Sequence, residues 1–140
     1  MLTAFLAAAA VTLTIPPPPK LDVERLLDTI AAVENWDGKT TGAAGEWGAF
    51  QMTPATWKHC RGTLHKTIRQ ATPSELRTAA REELLFRMAT LQINHHTLTP
   101  FLVGLAWGAG VSAVLKDSAS DAKREYALRC AAVYEASAPK

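Results

Sequence analysis

Apolar side chains recur at helical spacing along most of this chain. Val23, Leu27, Ile30 and Glu34 lie 4, 3 and 4 residues apart, one stripe of an α-helix, and Leu26, Ala31 and Val33 widen the apolar side. The pattern predicts a first helix over residues 21–35. Thr53-Pro54 marks the start of a short second helix, with Thr as cap and Pro in the first turn, ending near residues 60–62. Thr72-Pro73-Ser74-Glu75 has the form of a capping box. The helix it opens carries Leu76, Ala80, Leu84, Met88 and Leu91 on one stripe and should run to about Asn94. Thr99-Pro100 opens a segment apolar nearly all round from Phe101 to Trp107, the pattern of a centrally buried helix, with Gly108 and Gly110 interrupting it. A last helix begins near Ser120, with Tyr126, Leu128, Ala131, Val133 and Tyr134 as its apolar positions. No segment reads convincingly as a strand. A small hairpin in the loop over residues 36–48, where Asp37-Gly38 signals a turn, is the one β candidate. The expected fold is a small, mainly α domain around one buried central helix, with a glycine-rich loop.

Two features of the stripe pattern suggest chemistry. Glu34 continues the buried stripe at the C-terminal end of the first helix. Partial burial and the negative end of the helix dipole both favour its neutral form there. A carboxylic acid kept protonated near neutral pH is what a general acid requires. The plain alternative is a boundary Glu that bends out to water. A loop with Gly38, Gly42, Gly45 and Gly48 follows, then Gly48-Ala49-Phe50-Gln51-Met52. Asp37 and Glu46 are the loop carboxylates that could act as a second acid; a turn residue and a solvated acid are the plain alternatives.

Composition narrows the class. Apolar residues make up 48% of the 140 and the net charge is +2, an ordinary globular balance for one domain. No basic cluster with interleaved aromatics suggests a nucleic-acid partner. Residues 1–15 are uncharged and mostly apolar after Met1, too short for a confident membrane span but suited to the core of a secretory signal. A loosely packed N-terminal helix is the alternative. Pro16 to Pro19 form a stiff spacer over residues 16–20, so the domain is expected over 21–140. Of the four histidines, His59 and His65 lie near Cys60, and His95-His96 are adjacent, but no CxxC or HExxH pattern is present, so no metal is expected. Cys60 and Cys130 are the two cysteines; in an exported chain they could pair, and two separate buried thiols fit as well.

The motifs in order resemble those of the lysozyme-like lytic transglycosylases, relatives of goose-type lysozyme. Glu34-Asn35 stands where that family ends a helix in a catalytic Glu, usually followed by Ser. Gly48-Ala49-Phe50-Gln51 matches its Gly-x-x-Gln segment, and Pro54-Ala55-Thr56 its Pro-x-Thr helix start. Ala106-Trp107-Gly108-Ala109-Gly110 stands in place of Tyr-Asn-Ala-Gly, and Tyr126 and Tyr134 repeat its pair of tyrosines eight residues apart. The resemblance spans about 115 residues, from Leu21 to Glu135. It departs at Asn35, at Glu125, where the family often has Asn, and at Trp107-Gly108, where an amide side chain is lost.

The resemblance implies cleavage of the β-1,4 bond between N-acetylmuramic acid and N-acetylglucosamine in peptidoglycan. Glu34 would act as acid and then base, giving a 1,6-anhydro sugar without water or cofactor. Gln51 and Phe50 would contact substrate, and Tyr126 would reach Glu34; apart from the resemblance, Trp47 is the tryptophan expected to stack on a sugar face, because it lies in the loop. The plain alternatives are a backbone-bonded loop amide for Gln51, a core tyrosine for Tyr126, and core packing for Trp57 and Trp107. A hydrolytic lysozyme using Asp37 or Glu46 is the alternative chemistry. A glycan-binding scaffold that has lost turnover is the alternative class, kept open by Gly108. The expected state is an exported monomer, periplasmic or extracellular, acting on glycan strands.

Overall fold

The computed structural model describes residues 20–61 and 65–139; the candidate signal segment at 1–15 and the spacer prolines lie outside the described residues. The chain is mainly α-helical. Its helices are α1 (Val23–Glu34), α2 (Pro54–Arg61), α3 (Pro73–Ile93), α4 (Pro100–Ala109), α5 (Val111–Leu115) and α6 (Asp121–Ala136), with a 3-10 turn at Ile68–Gln70. Among the described residues no helix is long and apolar enough to cross a membrane.

Local chemistry sets most helix starts. Asp22 accepts the N–H groups of Glu24 and Arg25 at 3.0 and 3.2 Å to open α1. Thr53 caps α2 through the Thr56 N–H at 3.1 Å. Thr72 and Glu75 exchange the two bonds of a capping box at 3.2 and 2.8 Å. Thr99 and Ser120 accept from Leu102 and Lys123 to open α4 and α6. The predicted stripe on α3 is buried in full, from Leu76 to Leu91, and Ala79 and Glu83 join it.

α4 is apolar all round because it serves two hydrophobic clusters. Val103 packs with Leu27, Ile30 and Leu84; Leu105 and Ala106 pack with Leu91, Val114 and Ala127. Each fully buried Leu or Ile contributes about 1.5–3 kcal/mol. The α4–α6 approach is close at Gly104, where a Cβ would lie 2.7 Å from the Cβ of Cys130. Arg87 of α3 closes the end of α4 by donating to the carbonyls of Ala106 and Trp107 at 2.6 and 2.9 Å, while it pairs with the buried Glu83 at 2.6 Å.

Three details differ from the sequence reading. Gly108 lies inside α4, and only Gly110, at φ +85°, breaks the helix before α5 resumes it. Leu128 is 60% exposed; the buried face of α6 is Tyr126, Ala127, Cys130 and Tyr134 instead. Among the described residues the one β interaction is an isolated antiparallel bridge between Trp47 and Met52, beyond the Asp37-Gly38 turn.

α1 and α6 run antiparallel, joined at both ends by the two tyrosines. At the start of α1, the Asp22 N–H donates to the Tyr134 hydroxyl at 3.0 Å. The Arg25 guanidinium lies 3.6 Å from the Tyr134 ring centroid. At the other end, Tyr126 meets Glu34.

Candidate active site

Glu34 is the last residue of α1, one turn beyond the buried Ile30, and is itself half-buried. Asn35 then takes the left-handed conformation at φ 43°, which Asn tolerates well, and turns the chain into the loop. The Tyr126 hydroxyl donates to Glu34 Oε1 at 2.7 Å. Burial raises the pKa of Glu34 above that of an ordinary glutamate; the Tyr126 bond and the charge of Lys123 pull the other way, and Glu46 adds to the rise. Burial, with the nearby Cys130 and Glu34, raises the Tyr126 pKa as well, so the phenol stays protonated and remains a donor to the carboxyl group.

The pair opens onto a cleft of about 220 Å³. One wall is the glycine loop, where the Gly42 N–H donates to the Glu46 carbonyl at 3.2 Å and the Ala44 N–H to Glu46 Oε2 at 2.8 Å. A second wall is the turn over residues 48–51, pinned by reciprocal bonds between Trp47 and Met52 at 2.9 and 3.2 Å. Gly48 is needed in that turn on two counts. Its φ is +80°, and a Cβ there would lie 2.8 Å from Leu76 Cδ1. Gln51, also at positive φ, lines the cleft while its Nε2 donates to the Gly48 carbonyl at 3.0 Å. The backbone-bonded and cleft-lining readings of Gln51 therefore hold together. The third wall is the end of α4, with Trp107 and Gly108. The Trp107 indole N–H donates to the Phe50 carbonyl at 3.2 Å, tying α4 to the turn.

Gly108 has a geometric role. A Cβ at this position would meet Tyr126 Cδ1 at 2.8 Å, so the absent side chain is what admits the Tyr126 ring beside Glu34.

Several candidates fall elsewhere. Phe50 is 4% exposed and belongs to the core, so its side chain offers nothing to a ligand. Trp47 packs edge-on against Trp36, with ring centroids 5.0 Å apart, and is not part of the cleft wall. Trp107 is the tryptophan that lines the cleft, while Trp57 is core and donates to the Lys66 carbonyl. Asp37 is a turn residue: its Oδ1 accepts the N–H groups of Lys39 and Thr40 at 2.8 and 3.2 Å, chiefly the first of which lowers its pKa. Glu46, in contrast, shares the cleft with Glu34.

Cys60 and Cys130 are free thiols and form no disulfide. Cys60 points at Glu83 Oε2 at 3.8 Å, whereas Cys130 faces Gly104 of α4. Burial pushes each thiol up to about 11. Among the described residues no three His, Cys, Asp or Glu side chains gather as a metal site.

Two cleft residues escaped the sequence reading. Lys123 lies three residues before Tyr126 and so on the same face of α6, a spacing that could have found it. Thr53, which reads from the sequence only as a helix cap, also lines the cleft.

Comparison with family models, with curated proteins and with solved structures finds no match. The functional reading therefore rests on the site. Larger concavities, of about 520 to 680 Å³, exist elsewhere, but none includes Glu34 or Tyr126. A half-buried carboxyl group with raised pKa, oriented by a phenol and facing an open cleft, is equipped to deliver a proton to a bound leaving group.

Proposed function

We propose that this protein is a peptidoglycan-cleaving muramidase of the lytic transglycosylase type, acting at the cell wall outside the cytoplasmic membrane. The observation that carries the reading is the 2.7 Å bond from Tyr126 to a Glu34 that burial biases toward its protonated form. The ordered motif resemblance supports the same reaction. Protonated Glu34 gives its proton to the β-1,4 glycosidic oxygen as the bond to C1 of N-acetylmuramic acid breaks. The carbonyl oxygen of the substrate's own N-acetyl group stabilises the cation at C1. The Glu34 carboxylate, held by Tyr126 and favoured by Lys123, then takes the proton of the 6-hydroxyl as its oxygen closes on C1. The product is a 1,6-anhydro sugar, Glu34 is reprotonated and no water is consumed.

A second reading has one observation in its favour. Glu46 shares the cleft and could direct a water, which would make the enzyme a hydrolytic lysozyme. Digestion of purified peptidoglycan, read by mass spectrometry, separates these. Anhydro-muropeptides are expected from the wild type, with a loss of at least about a hundredfold in Glu34→Gln. Reducing-end products would transfer the second acid's role to Glu46. Folded protein that yields no product in either form would sink the enzyme reading in favour of a glycan-binding scaffold.

A further inference from the structure

None of the residues lining the cleft belongs to α3, yet Arg87 of that helix reaches the third wall. The last carbonyls of an α-helix have no donor within it, and a cation there is favoured by the helix dipole. At the end of α4 Arg87 supplies both donor and cation. One guanidinium nitrogen donates to the Ala106 carbonyl at 2.6 Å and to the Trp107 carbonyl at 2.9 Å. The guanidinium carbon also lies 5.1 Å from the centroid of the Trp107 ring. Arg87 thus holds Trp107 by backbone and ring together, and the Phe50 carbonyl fixes the indole N–H at 3.2 Å. Phe50 precedes Gln51 in the turn bonded to the Gly48 carbonyl, so the hold extends to a second cleft residue.

Arg87 is itself immobilised. Its Nε donates to Glu83 Oε1 at 2.6 Å, one turn back along α3. Glu83 is only 8% exposed, and the Cys60 thiol donates to its other oxygen at 3.8 Å. A buried ion pair contributes little net stability over apolar residues of the same volume. What this pair adds is direction: the bonds to Glu83, Ala106 and Trp107 aim the guanidinium.

We infer that Arg87, aimed by Glu83, is a positioning residue for the cleft: it sets the Trp107 ring and, through the Phe50 carbonyl, Gln51 against the bound substrate. The inference rests on the muramidase reading for its substrate. Arg87 acts on grip rather than on proton transfer, because none of its bonds reaches Glu34 or Tyr126. Lys could carry the charge in its place, but not the fork that joins a carboxylate to two carbonyls, nor a planar group beside the indole.

The test labels the protein with fluorotryptophan and follows Trp107 by fluorine NMR, its resonance assigned by its loss in Trp107→Phe. In Arg87→Lys that resonance is expected to shift or broaden, while that of the core Trp57 stays in place and shows that the fold is kept. Glu83→Gln should move the same resonance, and it is the second variant should Arg87→Lys fail to fold. With soluble glycan-strand fragments as substrate, both variants are expected to raise KM about fivefold, with kcat within about twofold of wild type and the alkaline limb of the pH profile unmoved. A packing role alone would lower the melting temperature without moving KM. A Trp107 resonance unchanged in both variants, or a fall in kcat at constant KM, would overturn the inference. If the wild type cuts no glycan, the muramidase reading fails, and the resonances still decide whether Arg87 positions Trp107.

Discussion

Tyr126 and Glu34 are 92 residues apart in sequence, and their hydrogen bond defines what the site can do. The stripe through Val23, Leu27 and Ile30 made Glu34 legible as a buried acid. That the Tyr126 phenol would reach it was implied by the family resemblance and the spacing with Tyr134 but not by any local pattern, because no local rule says which helix will cross the end of α1. The bond has a pH consequence. In the proposed reaction Glu34 acts first as an acid, so activity is expected to fall as pH rises through its pKa, and burial raises that limb relative to an ordinary glutamate. The Tyr126 bond favours the carboxylate and pulls the limb down. Tyr126→Phe is therefore expected to move the alkaline limb to higher pH and to cut the maximal rate by about tenfold to a hundredfold, as lost hydrogen bonds to charged groups do. A pH–rate profile checks this; a limb displaced to lower pH would show that the phenol does not stabilise the carboxylate.

At the scale of elements, α4 organises the site through two glycines four residues apart. Gly104 and Gly108 both face α6, but their neighbours differ. A Cβ at 104 meets the Cβ of Cys130 at 2.7 Å and the Cα of Ala127 at 3.5 Å, whereas at 108 it meets the Tyr126 ring at 2.8 and 3.1 Å. Gly104→Ala must push the helices apart and should destabilise by about 1–3 kcal/mol, lowering the melting temperature by several degrees. Gly108→Ala should instead swing the ring away from Glu34, so turnover falls by more than the loss of stability accounts for. Melting temperature and kcat measured on both variants decide the point. Equal behaviour would mean that Gly108 serves packing alone. No local pattern signals this division: a glycine in an apolar helix reads as an interruption, and its purpose shows only when the facing helix is in place.

For the whole molecule, the acid carries a stability cost. The folded-state pKa of Glu34 lies above its ordinary value, so between the two the folded chain binds more protons than the unfolded one, and stability falls as pH rises through that window. Above it, ionised Glu34 is a fixed cost to the stability of the fold. Glu34→Gln should therefore melt at a higher temperature than wild type at neutral pH, with the difference shrinking as pH drops below the ordinary carboxylate range. Calorimetry across pH checks it, and equal melting temperatures at neutral pH would show that the site is better hydrated than its burial implies. The sequence by itself determined where most of the helices begin and that the stripes of α1 and α3 face the core, though not the buried face of α6. Caps such as Thr53, Thr72, Thr99 and Ser120 bond to N–H groups three residues on, and periodicity is a property of a single helix. Only the tertiary structure decided the membership of the cleft. It brought Glu46 to Glu34 and left Asp37 in its turn, exchanged Trp107 for Trp47, buried Phe50, and set Cys60 and Cys130 against different partners. Those outcomes depend on how α4 and α6 close against α1 and the loop, and contacts between distant segments are fixed by packing, which no short stretch of residues encodes.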